Sequence, residues 1–187
     1  MILIDYTQFC IANIFSFQKD LVKGNSSPEA VNIIRHAVLS GIKMYKKQHG
    51  STYGPIVLAC DGQDYWRRSV FPYYKASRKT TRDKSNLDWE LIFNTISQLR
   101  EEIKNNFPYV VVHVNKAEAD DVIATLCEHT QTNLLFDNGI VEDKQPVLIL
   151  SSDGDFKQLH KYDNVKQYAM AQKKWIKCVN CHDELLS

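Results

Sequence analysis

The sequence lacks the features that mark membrane-spanning, secreted and strongly charged proteins. Lysine and arginine together number 23 against 22 acidic residues, which leaves a formal net charge of +1. No apolar run approaches the ~20 residues that cross a bilayer, and no basic segment precedes an apolar one at the N-terminus. We therefore expect a protein of the cytoplasm that makes no membrane contact. Attraction to an acidic partner must then come from how the charges are distributed.

The cysteines have neither the number nor the spacing of a disulfide framework. They are Cys10, Cys60, Cys127, Cys178 and Cys181. Residues 178–182, CVNCH, match the pattern of covalent haem attachment and also contain half of a possible zinc site. No secretion signal accompanies the haem pattern, and the other cysteines supply no second C-x-x-C half for zinc. We favour neither cofactor.

The remaining composition is ordinary for one globular domain. A chain of 187 residues, 44% hydrophobic and 24% charged, is long enough for one well-cored domain and short for two. We assign residues 1–177 to that domain. Residues 183–187 resemble the opening of an amphipathic helix that is then cut off, and we assign residues 178–187 to the start of a truncated C-terminal region.

Short apolar runs alternate with segments of helical periodicity. The predicted strands are residues 1–4, 55–60, 109–114, 147–150, 165–169 and an edge at 173–175. The predicted helices are residues 6–17, 28–48, 86–107, 116–129 and 156–162, and residues 130–146 form a polar connection. The all-apolar runs are typical of strands covered on both faces. The sequence therefore predicts an α/β fold with a central, mainly parallel sheet and helices on both faces.

Acidic residues follow the first four of these strands. They are Asp5, Asp61, Glu118, Asp120, Asp121, Asp153 and Asp155. Because the carboxyl ends of parallel neighbours meet at one edge of a sheet, we expect these side chains to converge there. Acids in the first turn of a helix also complement its dipole, which accounts for one or two of the three at 118–121 but not for all. Carboxylates packed together repel one another unless cations lie between them.

All-oxygen ligands favour a hard divalent cation, and we predict Mg²⁺, with Mn²⁺ as a substitute. Two ions about 4 Å apart would activate a water, hold a scissile phosphate and stabilise the leaving 3′ oxygen in an in-line displacement. The products would carry a 5′ phosphate. His113 and His160 have no nucleophilic partner in their sequence context, so they do not suggest a competing mechanism.

Residues 64–84, the basic-aromatic segment, have the most unusual composition in the chain. Aromatic residues at 65, 66, 71, 73 and 74 are interleaved with seven basic residues. Basic side chains neutralise phosphates and aromatic faces stack on unpaired bases, so the segment favours single-stranded nucleic acid. The predicted contacts are Arg67, Arg68, Tyr74, Lys75, Arg78, Lys79 and Arg82. The alternative is a solvated loop whose aromatic side chains pack into the core.

Several motifs together resemble the flap endonuclease and 5′-nuclease family, in particular its RNase H branch from T-even bacteriophages. They are LIDYTQ, YWRR followed by YYKASR, EADD, and SSDGDFKQLHKYDNVKQY followed by KKW. SSDGDF together with EADD at this separation is a specific signature, and the likeness extends over nearly the whole chain. It implies a PIN-like catalytic domain in which residues 64–84 form an arch or gateway.

The resemblance implies a divalent-metal-dependent nuclease that removes RNA primers and 5′ flaps during phage DNA replication in the bacterial cytoplasm. It would act as a 5′-to-3′ exonuclease and flap endonuclease on DNA and RNA–DNA hybrids with a 5′ flap or single-stranded 5′ end. The family's metal carboxylates fall on the seven acids named above. Its gateway bases fall on Lys75 and Arg78, with Arg67 as a further phosphate contact. A single-stranded-DNA-binding protein or a sliding clamp is an implied partner.

The chain also departs from the family. Family members continue into a helix-three-turn-helix segment that grips the duplex and adds a pair of aspartates to the second metal position. This sequence ends before both, so the second ion would rest on Asp121, Asp153, Asp155 and water, with poor affinity. Two explanations agree with the position at which the sequence ends. The chain is either truncated, or it is half of a split nuclease that a separate C-terminal polypeptide completes.

Two other functions agree with the residues alone. A nucleic-acid-binding module without catalysis would keep the basic-aromatic segment and bind its substrate without cleaving it. A phosphatase on a doubly wound sheet would also place acids at strand ends, but it would have no need of residues 64–84.

Overall fold

The centre of the protein is a six-stranded sheet, with a separate two-stranded pair beside it. In the computed structural model the strands are β1 (Ile2–Asp5), β2 (Ile56–Cys60), β3 (Val110–His113), β4 (Leu135–Phe136), β5 (Gly139–Ile140), β6 (Val147–Leu150), β7 (Val165–Ala169) and β8 (Lys174–Ile176). The structure describes residues 1–24, 27–132, 135–136, 139–140 and 144–177, without the side chains of residues 78, 79, 135, 136, 139 and 140. The predictions for the Arg78 and Lys79 side chains and for residues 178–187 therefore lie outside the described residues.

The strand order of the large sheet is β3-β2-β1-β6-β7-β8. The first five strands run parallel, and β8 runs antiparallel to β7. Ile2 of β1 pairs with Ile56 on one side and with Leu148 on the other. The four strands that lead to the acidic residues are thus parallel neighbours, as predicted, and their carboxyl ends share one edge of the sheet.

Helices cover both faces of this sheet. They are α1 (Tyr6–Ile14), α2 (Pro28–Tyr53), α3 (Trp66–Val70), α4 (Ser77–Asp83), α5 (Trp89–Asn106) and α6 (Ala119–Thr132), with 3₁₀ helices at Phe15–Phe17 and Gly154–Lys161. Side chains of α1, α2 and α5 build the core on one face, and those of α6 and Gly154–Lys161 build it on the other. The predicted α/β fold with a mainly parallel sheet is confirmed.

The alternation of side chains along each strand explains why one apolar run supplies both cores. Ile2 and Ile4 pack into the core beneath α1, α2 and α5, whereas Leu3 packs beneath α6. Successive strand side chains point to opposite faces, so a central strand must be apolar at every position. None of the described helices is both long enough and apolar enough to cross a membrane.

The structure corrects three expectations about the elements. Helix α2 does not end at residue 48 but continues to Tyr53, because Gly54 takes a positive φ of 84° and its N–H bonds to the Gly50 carbonyl at 2.9 Å. Strand β3 lies at the edge of the sheet, so Val110 is 53% exposed rather than covered on both faces. The connection at 130–146 contains β4 and β5 in its described residues.

Gly62 allows β2 to approach the segment between β3 and α6. Its N–H donates to the Ala117 carbonyl at 2.8 Å. A Cβ atom at this position would lie 2.4 Å from the Val114 carbonyl oxygen and 2.8 Å from that of Ala117. Both are backbone atoms that cannot turn away. The glycine therefore fixes the position of Asp61 relative to α6.

We predict that Gly62→Ala lowers the free energy of unfolding by about 1–3 kcal/mol, because the added methyl group overpacks two backbone segments. Gly154→Ala is the matched control, since a Cβ there meets nothing within 4 Å and the φ of Gly154 is not positive. Urea unfolding of both variants measures the difference. Equal stability of the two variants would contradict the close approach.

Candidate active site

The strand ends place aspartates whose carboxylates also bond to the first turns of helices. Asp5 ends β1, and its Oδ1 accepts the N–H of Gln8 in α1 at 3.1 Å. Asp61 follows β2 directly, and its Oδ1 accepts the N–H of Ala119, the first residue of α6, at 3.0 Å. Asp153 lies three residues after β6, and its Oδ1 accepts the N–H of Asp155 at 3.0 Å. Hydrogen bonds from backbone N–H groups thus orient all three carboxylates at the same edge of the sheet.

Four of the predicted carboxylates interact electrostatically. Asp5 is only 8% exposed, and burial, together with the charges of Asp61, Asp120 and Asp153, raises its pKa to about 7 against the lowering effect of its backbone hydrogen bond. Burial and the charge of Asp153 raise the pKa of Asp120 to about 6. Burial and mutual repulsion thus both disfavour the charged forms of Asp5 and Asp120.

Glu118 has a different role, because the basic-aromatic segment occupies its carboxylate. Its side chain is 1% exposed. It accepts hydrogen bonds from Arg67 Nη1 at 2.7 Å, from the Tyr74 hydroxyl at 2.9 Å and from Lys75 Nζ at 2.6 Å. Three donors from one segment thus converge on a single buried acid. We call this group of Arg67, Tyr74, Lys75 and Glu118 the Glu118 network.

Arg67 also binds Asp121. Its Nη1 and Nη2 donate to the two carboxylate oxygens at 2.9 and 2.7 Å, and the Glu118 N–H donates to the same group at 3.0 Å. The Arg67 guanidinium holds the pKa of Asp121 below its usual value. The pKa of Arg67 is raised in turn, chiefly by its hydrogen bond to Asp121. A bidentate arginine–carboxylate pair is among the stronger charged interactions in proteins.

The seven predicted acids therefore fall into three groups. Asp5, Asp61, Asp120 and Asp153 interact with one another, Glu118 and Asp121 are paired with cations, and Asp155 is exposed and bonds through its N–H to Asp153. Within the described ranges, no three acidic, histidine or cysteine side chains are arranged to hold a metal ion. The chemistry of the first group nevertheless fits a hard divalent cation, because its donors are all carboxylate oxygens and a cation relieves their repulsion. That all seven bind metal stays a prediction.

The aromatic residues of the basic-aromatic segment do not pack into the core. Phe71 and Tyr73 are 56% and 76% exposed, whereas Tyr74 is half-buried among cations. The Tyr74 ring centroid lies 5.1 Å from Lys75 Nζ and 5.9 Å from Arg67 Cζ. Lys75 itself has a left-handed backbone with φ 56°, a conformation that is sparsely populated for residues other than glycine. From this conformation the Lys75 ammonium group bonds to Glu118.

A cleft of about 580 Å³ opens beside these acids. Asp61 and Lys75 line it together with Arg82 of α4 and with Trp89 and Phe93 of α5. Trp89 and Phe93 are not among the site residues predicted from the sequence. They do pack against the core, but they also form a wall of this cleft. One signal in the sequence could have identified this wall: Trp89 is the first residue of its helix and follows the basic-aromatic segment by five residues.

Comparison with known proteins now identifies the family. Residues 1–185 match the model of the 5′-3′ exonuclease N-terminal resolvase-like domain, so the chain belongs to that family. It is 38% identical over 178 residues to ribonuclease H of Enterobacteria phage T4. That match covers 94% of this chain and 53% of the relative, so the chain spans about half the length of the curated relative. The predicted family resemblance is confirmed.

Solved structures support the fold. The T5 5′-exonuclease with bound divalent zinc superposes with a TM-score of 0.63 at 18% identity, covering 98% of this chain and 59% of that chain. A second T5 structure, co-crystallised with metal ions, gives a TM-score of 0.63 at 18% identity, over 97% of this chain and 58% of that one. At this level of identity the likeness establishes a shared fold.

We predict that Asp5→Asn stabilises the metal-free protein at pH 8 by on the order of 1–2 kcal/mol and has little effect at pH 4. Asp5 has a folded pKa of about 7 against 3.8 in the unfolded chain, so the penalty for its charge grows as the pH rises from about 4 to 7. Asparagine keeps the helix cap. Urea unfolding in EDTA at the two pH values measures the effect, and an equal change at both would contradict it.

We predict that Glu118→Gln releases the basic-aromatic segment, because Arg67 and Lys75 lose the charge that holds them. Trypsin should cleave within residues 64–84 several-fold faster in the variant, since cleavage follows the population of the open form. Glu102→Gln is the control, because it breaks another arginine–carboxylate pair, Arg35–Glu102, between α2 and α5. The guanidinium nitrogens of that pair lie 2.5–2.7 Å from the carboxylate oxygens, and both side chains are partly exposed. Unchanged cleavage in Glu118→Gln would show that the network does not restrain the segment.

Proposed function

We propose that the chain is the catalytic domain of a divalent-metal-dependent 5′-nuclease. It acts as a 5′-to-3′ exonuclease and flap endonuclease that removes RNA primers and 5′ flaps during DNA replication. The observation that carries this proposal is the group of mutually repelling carboxylates Asp5, Asp61, Asp120 and Asp153 beside a cleft lined by Lys75. The family match, the ribonuclease H relative and the metal-bound T5 structures support it.

Asp5, Asp61, Asp120 and Asp153 would hold the first metal ion, with Mg²⁺ as the natural cation and Mn²⁺ as a substitute. Asp155 and Asp121 would contribute to a second. When bound, the two ions supply charge neutralisation of the scissile phosphate and a water of lowered pKa. Glu118 and Asp121 become available to cations only when Arg67 and Lys75 release them, because those side chains occupy their oxygens.

Lys75 and Arg67 would bind the phosphates of the substrate. Lys75 Nζ lies 2.6 Å from Glu118 Oε1 and also lines the cleft that contains Asp61. A phosphodiester that enters the cleft offers the same kind of acceptor as the Glu118 carboxylate. Substrate binding would therefore exchange one anionic partner of Lys75 for another. Arg78 and Lys79 remain predicted contacts of the same segment, which would form an arch over the strand.

The proposed substrates are DNA and RNA–DNA hybrids that carry a 5′ flap or a single-stranded 5′ end. The proposed setting is the cytoplasm of a phage-infected bacterium, with a single-stranded-DNA-binding protein or sliding clamp as partner. Because the chain spans about half of the T4 relative, a separate C-terminal polypeptide is a further proposed partner. It would supply a duplex grip and further ligands for the second ion.

A second candidate is a nucleic-acid-binding nuclease domain that cannot cleave alone. The Glu118 network favours it, because two of the predicted metal acids are neutralised by Arg67 and Lys75. Such a domain would bind flap DNA and become active only when a second polypeptide completed the site.

Single-turnover cleavage of a 5′-flap duplex tests the proposal, with Mg²⁺, with Mn²⁺ and with EDTA. We predict that cleavage depends on metal and that Asp153→Asn reduces its rate by more than about 100-fold. Loss of an outer-shell partner costs up to about that factor, and loss of a direct ligand should cost more. Asp163→Asn, an exposed acid before β7, should cleave like the wild type. Binding without cleavage would support the second candidate. Hydrolysis of a small phosphate ester with no action on the flap would overturn both in favour of a phosphatase.

A further inference from the structure

We propose that Trp89, Phe93 and Arg82 form a stacking subsite for one base of an unpaired polynucleotide strand. The subsite lies in the same cleft as Asp61 and Lys75. The inference rests on the proposed function, because its ligand is the single-stranded part of that substrate. It adds two aromatic side chains of α5, which lie outside the basic-aromatic segment.

The two rings form a rigid pair. Trp89 and Phe93 are four residues apart on α5, so they lie on the same side of the helix. Their ring centroids are 5.7 Å apart and their planes differ by 26°, which is a stacked arrangement. The helix is anchored from beneath, because Ile92 and Ile96 are buried in the core and Asp88 caps its first turn. A base that stacks here meets a surface that is already ordered.

Arg82 adds a cation to the pair from α4. Its guanidinium carbon lies 5.1 Å from the Phe93 ring centroid, within the range of a cation–π interaction. The other cationic side chains that line the cleft are Arg68 and Lys75. Aromatic faces beside cations are the combination that binds single-stranded nucleic acids without regard to sequence, because every base has a π-face and every linkage a negative charge.

The volume and the wall of the cleft suit a nucleotide. About 580 Å³ falls in the range of cavities that take small organic ligands, and a base with its sugar is such a ligand in size. Packing alone does not explain the pair. Both rings pack against the core on one side, yet they are only partly buried and keep part of their surface in the cleft.

A second groove of about 420 Å³ shares Arg82, Trp89 and Phe93. Lys23 lines it, but so do three acids, which are Asp83, Asp88 and Glu90. Carboxylates at this density repel phosphates, so the second groove is a poor continuation for the strand. We therefore place the base in the first cleft, where the cations outnumber the acids.

The test uses a fluorescent 5′-flap duplex in which a single abasic residue is moved stepwise along the flap, with affinity measured by anisotropy in EDTA. For the wild type we expect one position at which loss of the base weakens binding about ten-fold, the effect of one lost stack. Trp89→Leu and Phe93→Leu should bind the intact flap about ten-fold more weakly than the wild type. An abasic residue at that position should not weaken their binding further. Thermal melts confirm that the variants fold.

Trp175→Leu is the matched control, because Trp175 is an equally large, 43% exposed aromatic on β8 that does not line the cleft. It should keep the wild-type abasic profile. A wild type that binds the flap with equal affinity at every abasic position overturns the subsite and leaves the proposed nuclease intact. A position-dependent profile that persists in Trp89→Leu and Phe93→Leu places the base elsewhere and also overturns it. Failure of the wild type to bind any flap overturns the proposed function together with the subsite.

Discussion

Repulsion among carboxylates at one edge of the sheet is the constraint on which the rest of the structure depends. Asp5, Asp61, Asp120 and Asp153 come from four places in the chain, and their charges disfavour one another. Nothing in their own chemistry brings them together. The parallel strands do so, because β1, β2 and β6 are buried on both faces and have no freedom to separate their ends. The free energy of a large apolar core thus offsets the cost of a site that is unfavourable by itself.

The basic-aromatic segment compensates the charge of another acid at this edge, Glu118, by direct pairing. Glu118 is almost fully buried, and a buried carboxylate is costly unless it is paired and hydrogen-bonded. Arg67, Tyr74 and Lys75 supply that pairing, so the acid at the edge of the sheet determines where the segment lies. The segment and the site are therefore one electrostatic unit, although 43 or more residues of chain separate Glu118 from its partners.

Much of this arrangement could be predicted from sequence, and the rest could not for identifiable reasons. Apolar runs that end in acids predicted the order of elements and the convergence of Asp5, Asp61 and Asp153, since period and composition are local properties. The pairing of Glu118 with Lys75 depends on how a segment folds back across space, which no local pattern encodes. For the same reason, Trp89 and Phe93 could be assigned to a helix but not to a cleft. Edge position was also hidden, because the composition of β3 matches that of a central strand.

The Glu118 network has a consequence for how ligands affect one another. In the proposed nuclease, Arg67 and Lys75 neutralise Glu118 and Asp121, two of the acids proposed to bind metal, and these acids in turn hold the cations proposed to bind phosphate. Any divalent ion that displaces the two side chains makes them available to nucleic acid, and any nucleic acid that attracts them makes the acids available to the ion. Linkage requires the two effects to be equal: the factor by which metal raises nucleic-acid affinity is the factor by which nucleic acid raises metal affinity. Two mutually dependent ligands would thus assemble the site cooperatively, without any movement of the sheet beneath them.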